Sequence, residues 1–308
     1  MSDEGGVKVT RQRCSAPSRT PHERMFPQEA LRILRCPICD SGLNEAPGRL
    51  VCPHGHSFDR ARQGYVNLRH GNGAIPQNAD SVSMVEAREL VDKQGLLETV
   101  RARTAALAKA YAPTTPPLTV ADLAGGTGYY LAGILDHLPY ATGICIDLST
   151  PALRRAARCH PGAAAIGSDL RGKLPLAGKS ISIALSIFGP RNVAEIHRIL
   201  KKDGVLLVVT PTQDHLRELV GPLGMVRVYD RKEQQLAKKL ARFTLVHREH
   251  IEYKVTVDHA DIRSIVQMGP SARHLNVDEM DLQQLGLSDG MKVTISVNAG
   301  VYGLKETR

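Results

Sequence analysis

Apolar residues change their spacing along this chain. Between Ser81 and Ala110, Val85, Leu90, Leu97, Val100 and Leu107 fall near helical spacing, and Gly95 interrupts them. Pro113, Pro116 and Pro117 end that stretch. Beyond Leu118, short apolar runs alternate with helical patterns. The runs predict strands over 118–124, 141–148, 163–168, 180–187 and 204–210. The patterns between them predict helices over 128–138, 151–159, 191–201 and 213–221. Strands alternating with helices at this spacing argue for an α/β fold, a parallel sheet with helices on both faces. The C-terminal part differs. A charged helix near 231–241 leads to a strand over 243–257, a helix over 258–268 and a final strand near 291–297. The last two strands are expected to form an antiparallel edge.

The N-terminal third has no such period. Residues 1–29 mix Ser, Thr, Pro and Arg and read as a flexible leader. Residues 30–70 carry turn signals and a Cys/His cluster, and read as a small module. Residues 71–117 read as a linker followed by the helical segment, and 118–308 as the α/β domain. No run approaches the roughly 18 apolar residues of a membrane span. The first 30 residues lack an apolar signal core, so a cytoplasmic location is expected.

Charge narrows the partners. Lys and Arg total 40 against 31 Asp and Glu, a formal +9. That surplus suits a polyanion such as nucleic acid. Aromatic residues make up only 4% with no Trp, which argues against stacking along an extended single strand.

Three of the six cysteines crowd together as Cys36-Pro-Ile-Cys39 and Cys52-Pro-His-Gly-His56. The spacing is C-x2-C-x12-C-x3-H. Two tight knuckles can supply four soft ligands at tetrahedral corners, which is the requirement of a structural zinc ion. Cys36, Cys39, Cys52 and His56 are the expected ligands, with His54 the alternative fourth. Four saturated ligands leave no open position for catalysis.

A second motif follows the first predicted strand. Asp122-Leu-Ala-Gly125-Gly126-Thr127-Gly128 reads as a strand end turning into a helix. Glycines there let the backbone approach a ligand and leave helix N–H groups free. The G-x-G-x-x-G spacing of dinucleotide sites is absent, so S-adenosylmethionine fits better. Asp147 ends the next strand, 19 residues after Gly128, where a carboxylate can accept both ribose hydroxyls. Its alternative role is to cap the following helix. Asp169, after the third strand, is placed for the adenine amino group or is an ordinary loop residue.

These segments together resemble the RlmA family of 23S rRNA guanine-N1 methyltransferases, including its macrolide-resistance branch. The likeness runs through the two Cys knuckles, Gln63-Gly-Tyr-Val-Asn-Leu68, Met84-Val-Glu-Ala-Arg88, the glycine loop and Thr210-Pro-Thr-Gln-Asp-His215-Leu-Arg-Glu-Leu219. It covers most of residues 35–221. The resemblance implies a zinc-binding N-terminal module joined to a Rossmann-like methyltransferase domain. It implies methyl transfer from S-adenosylmethionine to N1 of one guanine in a hairpin loop of 23S rRNA, where the methyl group obstructs macrolides. It implies zinc ligation by Cys36, Cys39, Cys52 and His56, and cofactor contacts at Gly126, Thr127 and His215. The family has an aromatic cofactor contact where Leu97 stands here. Its loop often reads G-C-G-E-G where this chain has Ala124-Gly-Gly-Thr-Gly128. A homodimer is compatible with this family.

Further residues admit an RNA role beside a structural one. Arg60, Arg62 and Arg69 flank Tyr65 in the module and suit phosphates, with Tyr65 as a stacking surface or a core residue. Phe188, at the end of the fourth strand, suits stacking on the methyl acceptor or an edge-strand core. Arg88 suits the methionine carboxylate, a phosphate or solvent. Arg227, Arg231, Lys232, Lys238, Lys239 and Arg242 make a basic stretch that suits RNA or solvent. Two other functions stay open: a small-molecule methyltransferase with a similar loop, and a non-catalytic zinc protein that binds RNA.

Overall fold

The computed structural model describes residues 25–69, 79–227 and 231–305. The leader up to residue 24 and linker residues 70–78 lie outside them. The chain begins with helix α1 (Gln28–Ile33) and three short antiparallel strands, β1 (Asn44–Ala46), β2 (Arg49–Val51) and β3 (Ser57–Asp59). Strand β4 (Val66–Asn67) and helices α2 (Val82–Lys93) and α3 (Glu98–Ala110) follow. Gly95, at φ +72°, sits in the turn that separates the two helices, as its break in the pattern predicts.

The alternating region forms β5 (Thr119–Leu123), α4 (Tyr129–His137), β6 (Thr142–Asp147), α5 (Thr150–Ala156), β7 (Ala163–Gly167), β8 (Ile181–Ile187), α6 (Val193–Ile199) and β9 (Leu200–Pro211). Helices α7 (Arg217–Val220) and α8 (Arg231–Lys239), strand β10 (Phe243–Val257), helix α9 (His259–Gln267) and strand β11 (Met291–Leu304) complete it. One eight-stranded sheet runs β10-β11-β9-β8-β5-β6-β7-β4. The strands from β9 to β4 are parallel, while β11 and β10 run antiparallel at one edge. The α/β expectation and its antiparallel edge are both found.

Three boundaries differ for local reasons. The helix expected over 213–221 shrinks to α7. Leu216 takes a left-handed φ of +58° and gives its N–H to the Thr294 carbonyl of β11, so the segment before it is a turn. Strand β11 runs to Leu304, past the expected 297. Gly300 lies within this extension, where a Cβ would meet the Tyr302 ring at 2.7 Å. Strand β9 starts at Leu200, inside the expected helix over 191–201.

Burial explains the two faces. One face packs Val100, Leu131, Ile134, Leu185, Ile262 and Val266 with the sheet, from α3, α4 and α9. The opposite face packs Leu34, Leu50, Val66 and Leu68 against Ile144, Ile166 and Leu176. The Cys/His segment therefore shares its core with the sheet. Strand β4 joins β7 in parallel, and Leu68 donates to the Gly167 carbonyl at 2.8 Å. Such a short segment buries little by itself, and this shared core supplies what it lacks. Among the described residues no helix is long and apolar enough to cross a membrane.

Helix α9 starts with a capping box: Asp258 accepts from the Asp261 amide and the Asp261 side chain accepts from the Asp258 amide. Asp258→Ala removes that cap and is expected to cost about 1 kcal/mol, read as a lower urea midpoint of the full chain at unchanged slope.

Candidate cofactor cleft and metal centre

The strand order reverses between β5 and β8, which stay parallel, with β6 and β7 to one side and β9 to the other. Ligands of open α/β sheets bind at such a point, outside the C-terminal strand ends. A cleft of about 890 Å³ lies there. It takes in Asp122, Gly125, Thr127, Asp147, Asp169 and His215, which the sequence scatters over nearly a hundred residues.

The glycine turn is held from beneath. Ala124 and Gly125 donate to the Ile146 carbonyl at 2.9 and 3.2 Å, and Gly126 donates to Asp147 Oδ2 at 2.8 Å. Ala124, Gly126 and Gly128 take positive φ of +62°, +56° and +80°. Asp147 Oδ1 accepts the Ser149 amide at 2.7 Å. The cap of α5 is Ser149, whose hydroxyl accepts from the Ala152 amide, so Asp147 is not the helix cap. Burial raises the Asp147 carboxyl, and the two amides oppose it.

Asp122 lies under the turn. It is 1% exposed, and its Oδ2 is buried with no hydrogen-bond partner. Burial first, then the Asp147 charge, push its carboxyl up to about 7. A Cβ on Gly125 would fall 2.6 Å from Cys145 Sγ and 2.8 Å from Asp122 Cγ. Glycine is thus the residue that lets the turn close over the acid. A cradle that a Cβ would fill, and a buried carboxylate oxygen left unmatched, fit a polar ligand lying against this turn. Asp147 at the β6 end and Asp169 beyond β7 suit the ribose and adenine of S-adenosylmethionine.

The remaining sequence-derived residues separate into two groups. Leu97 is 6% exposed and lines the cleft, where Tyr129 and Tyr130 supply the aromatic surface. Asp169 is held by Arg171, with Nη2 to Oδ2 at 2.7 Å, and that guanidinium lowers its carboxyl. His215 Nδ1 accepts the Ser296 amide at 3.2 Å. Its ring stacks with Phe188 at 6.0 Å between centroids. Phe188 follows β8 with φ +53° and is 41% exposed at the cleft. Arg60, Arg62, Tyr65 and Arg69 are not brought to this cleft. Arg60 pairs with Glu45 at 3.1 Å and lies over the Phe26 ring, inside the module. Tyr65 packs on the core, and Arg69 Nε donates to Asn67 Oδ1 at 3.0 Å. Arg62 is exposed. In the basic stretch, Arg227 reaches the cleft, and Lys238, Lys239 and Arg242 are exposed.

Sequence reasoning passes over Asp92 and Tyr130, both of which line the cleft. The available signal was the i,i+4 spacing of Arg88 and Asp92, which puts both on one face of α2. Thr127 Oγ1 donates to Asp92 Oδ2 at 3.4 Å. Burial pushes the Asp92 carboxyl up to about 7, against the pull of Arg88.

A separate cluster forms at the knuckles. The ligand atoms of Cys36, Cys39, Cys52 and His56 all lie within 4.8 Å of one another. Cys39 Sγ and Cys52 Sγ are 3.6 Å apart, and His56 Nδ1 is 3.5 Å from Cys36 Sγ and 3.3 Å from Cys52 Sγ. Tetrahedral zinc with bonds of about 2.3 Å to sulfur needs sulfur atoms roughly 3.8 Å apart. The donors therefore fit one zinc ion held by Nδ1 of His56. His54 instead directs Nδ1 to Ser41 Oγ at 3.1 Å, which settles the fourth ligand. Asp40 and Gly55 take left-handed φ of +63° and +81° to make the two knuckle turns.

Metal analysis of the full chain is expected to give one zinc per molecule. Cys52→Ser is expected to lower that stoichiometry and the melting temperature together. Gly125→Ala is expected to cost about 1–3 kcal/mol by overpacking. It is also expected to weaken S-adenosylhomocysteine binding, measured by calorimetry beside urea unfolding.

The comparisons with known proteins agree with the zinc-binding segment and with a methyltransferase. Residues 34–69 match the zinc-ribbon family model described as "RlmA, N-terminal". A 23S rRNA (guanine(748)-N(1))-methyltransferase of Streptomyces fradiae is 42% identical over 271 residues, covering 88% of this chain and 96% of that protein. A Micromonospora griseorubida protein, named for the same guanine-N1 activity, is 40% identical over 89% of this chain and 98% of its own length. A Bacillus subtilis protein named likewise is 29% identical, over 87% of this chain and 97% of its own. Identity of this level over nearly the whole length of each partner, with the metal donors and the glycine turn assembled as described, places the chain in the RlmA family of 23S rRNA (guanine-N1)-methyltransferases.

Proposed function

We propose that this chain transfers the methyl group of S-adenosylmethionine to N1 of a single guanine in a hairpin loop of 23S rRNA. The observation that carries the reading is the juxtaposition, in one cleft, of the glycine turn with Asp147 and the exposed Phe188 ring at the end of β8. We further assign the target to the guanine named for the Streptomyces fradiae relative, with macrolide resistance as the consequence. That choice rests on 42% and 40% identity to the two actinobacterial relatives, against 29% to the Bacillus protein.

The bound cofactor supplies an electrophilic methyl group on a sulfonium, so the protein's main task is to place guanine N1 in line with it. Phe188 gives the guanine a flat apolar surface. Its left-handed backbone turns the ring into the cleft, and stacking on His215 keeps it there. Stacking requires an unpaired base, which a hairpin loop provides. Arg171, Arg217 and Arg227 are exposed at the cleft and suit the phosphates on either side. Arg62 adds an exposed cation on the module. The +9 surplus favours the encounter with RNA.

The test is methyl transfer from labelled S-adenosylmethionine to unmodified 23S rRNA, with nucleoside mass spectrometry and primer extension. The expected result is 1-methylguanosine at one hairpin-loop position. Transfer to no RNA or ribosomal subunit, with cofactor binding intact, would favour a small-molecule acceptor. Phe188→Ala is expected to lower kcat/KM for RNA by about 10- to 100-fold, the worth of one stacked base, at unchanged S-adenosylhomocysteine affinity.

A further inference from the structure

Two polar groups in the cleft lack the partner each requires. Asp92 is buried enough for its carboxyl to be raised, yet among the described residues no lysine or arginine forms an ion pair with it. The nearby guanidiniums are committed elsewhere. Arg88 Nη2 is 2.8 Å from Asp80 Oδ2 and 3.1 Å from the Met268 carbonyl. Arg101 pairs with Glu98 and Asp136. Among the described residues the Thr127 hydroxyl donates the one hydrogen bond to the Asp92 side chain, and at 3.4 Å it is long. The second group is the Tyr130 hydroxyl, buried and without a hydrogen-bond partner. Buried polar groups are normally satisfied, and leaving one unmatched is costly.

The two groups are neighbours with opposite needs. Burial first, then the Asp92 charge, discourage ionisation of the Tyr130 hydroxyl, so that hydroxyl stays a donor. Asp92 needs a cation and Tyr130 needs an acceptor. Both line the cleft, and Asp92 is bonded to Thr127 of the glycine turn. Arg88 Nη1 lies 3.0 Å from the Cβ position of Gly126, so a positive charge sits over the turn. A group with an ammonium and a carboxylate on one carbon would satisfy both at once.

We propose that Asp92 and Tyr130 hold the amino-acid end of S-adenosylmethionine, Asp92 accepting from the α-ammonium and the Tyr130 hydroxyl donating to the α-carboxylate. This rests on the methyltransferase reading above and assigns the end of the cofactor that Asp147 and Asp169 do not reach. Arg88 adds long-range attraction for the carboxylate while remaining tied to Asp80. Neither residue forms or breaks a bond; both are binding residues.

The experiment is calorimetric titration of the full, zinc-loaded chain with two unreactive ligands. S-adenosylhomocysteine carries the amino-acid end, and 5′-methylthioadenosine lacks it. Asp92→Asn and Tyr130→Phe keep side-chain shape. Each is expected to weaken S-adenosylhomocysteine by about 10- to 100-fold, the loss of one hydrogen bond to a charged group, and to leave 5′-methylthioadenosine affinity unchanged. The unchanged second affinity also reports that the variant is folded. Equal losses for both ligands would make the two residues structural and overturn the proposal, as would no loss for either. A parent chain that binds neither ligand would overturn the methyltransferase reading itself, a result distinguishable from the other two.

Discussion

The Asp147 carboxylate accepts the Gly126 amide, and the Ile146 carbonyl accepts those of Ala124 and Gly125. These bonds tie the turn after β5 to the end of β6, and the cleft depends on them. They fix three backbone units, of which Ala124 and Gly126 are left-handed, a conformation costly for alanine and open to glycine. With the turn fixed, Asp122 is sealed beneath it and α4 starts in a set direction, carrying Tyr129 and Tyr130 into the cleft. The carboxylate that suits a ribose thus also holds the turn that lines the cleft. A change at Asp147 would act on architecture and on binding together.

The metal segment uses a different economy of structure. Its strands are three residues or fewer, and its apolar residues are few. Stability comes from two directions: ligation of a zinc ion by four converging donors, and burial of Leu34, Leu50, Val66 and Leu68 against the underside of the large sheet. Pairing of β4 with β7 makes the segment an extension of the sheet edge. The metal centre is therefore positioned relative to the cleft by hydrogen bonds and packing, without relying on the linker.

Charge and aromatic surface are divided by position. Arginines within the module and beneath the loops are paired internally, as Arg60 is with Glu45 and Arg198 with Glu195. At the cleft, Arg171 and Arg217 are exposed while paired with Asp169 and Asp214, and Arg227 is exposed. The aromatic row Tyr129, Tyr130, Phe188 and His215 lines the same cleft. In the proposed reading the cations attract the polyanion and the rings stack on the base.

Local spacing alone determined a good deal of this protein. The C-x2-C-x12-C-x3-H pattern named the metal donors, because ligands of a compact tetrahedral site lie on two short turns. The glycine turn and Asp147 were legible, because a strand-turn-helix junction is a contiguous feature. Strand alternation gave the parallel sheet, because burial on both faces leaves continuous apolar runs. Tertiary structure alone decided the rest. His56 over His54 depended on which ring faced the sulfurs. Arg60 lost its apparent freedom to a carboxylate 15 positions away. Glycine is required at 300 because the Tyr302 ring fills the space a Cβ would take. Asp92 and Tyr130 carry no motif, and only the packing of α2 across the glycine turn brings an anion and a hydroxyl together. Such pairings are set by long-range packing, which residue spacing along a chain does not encode.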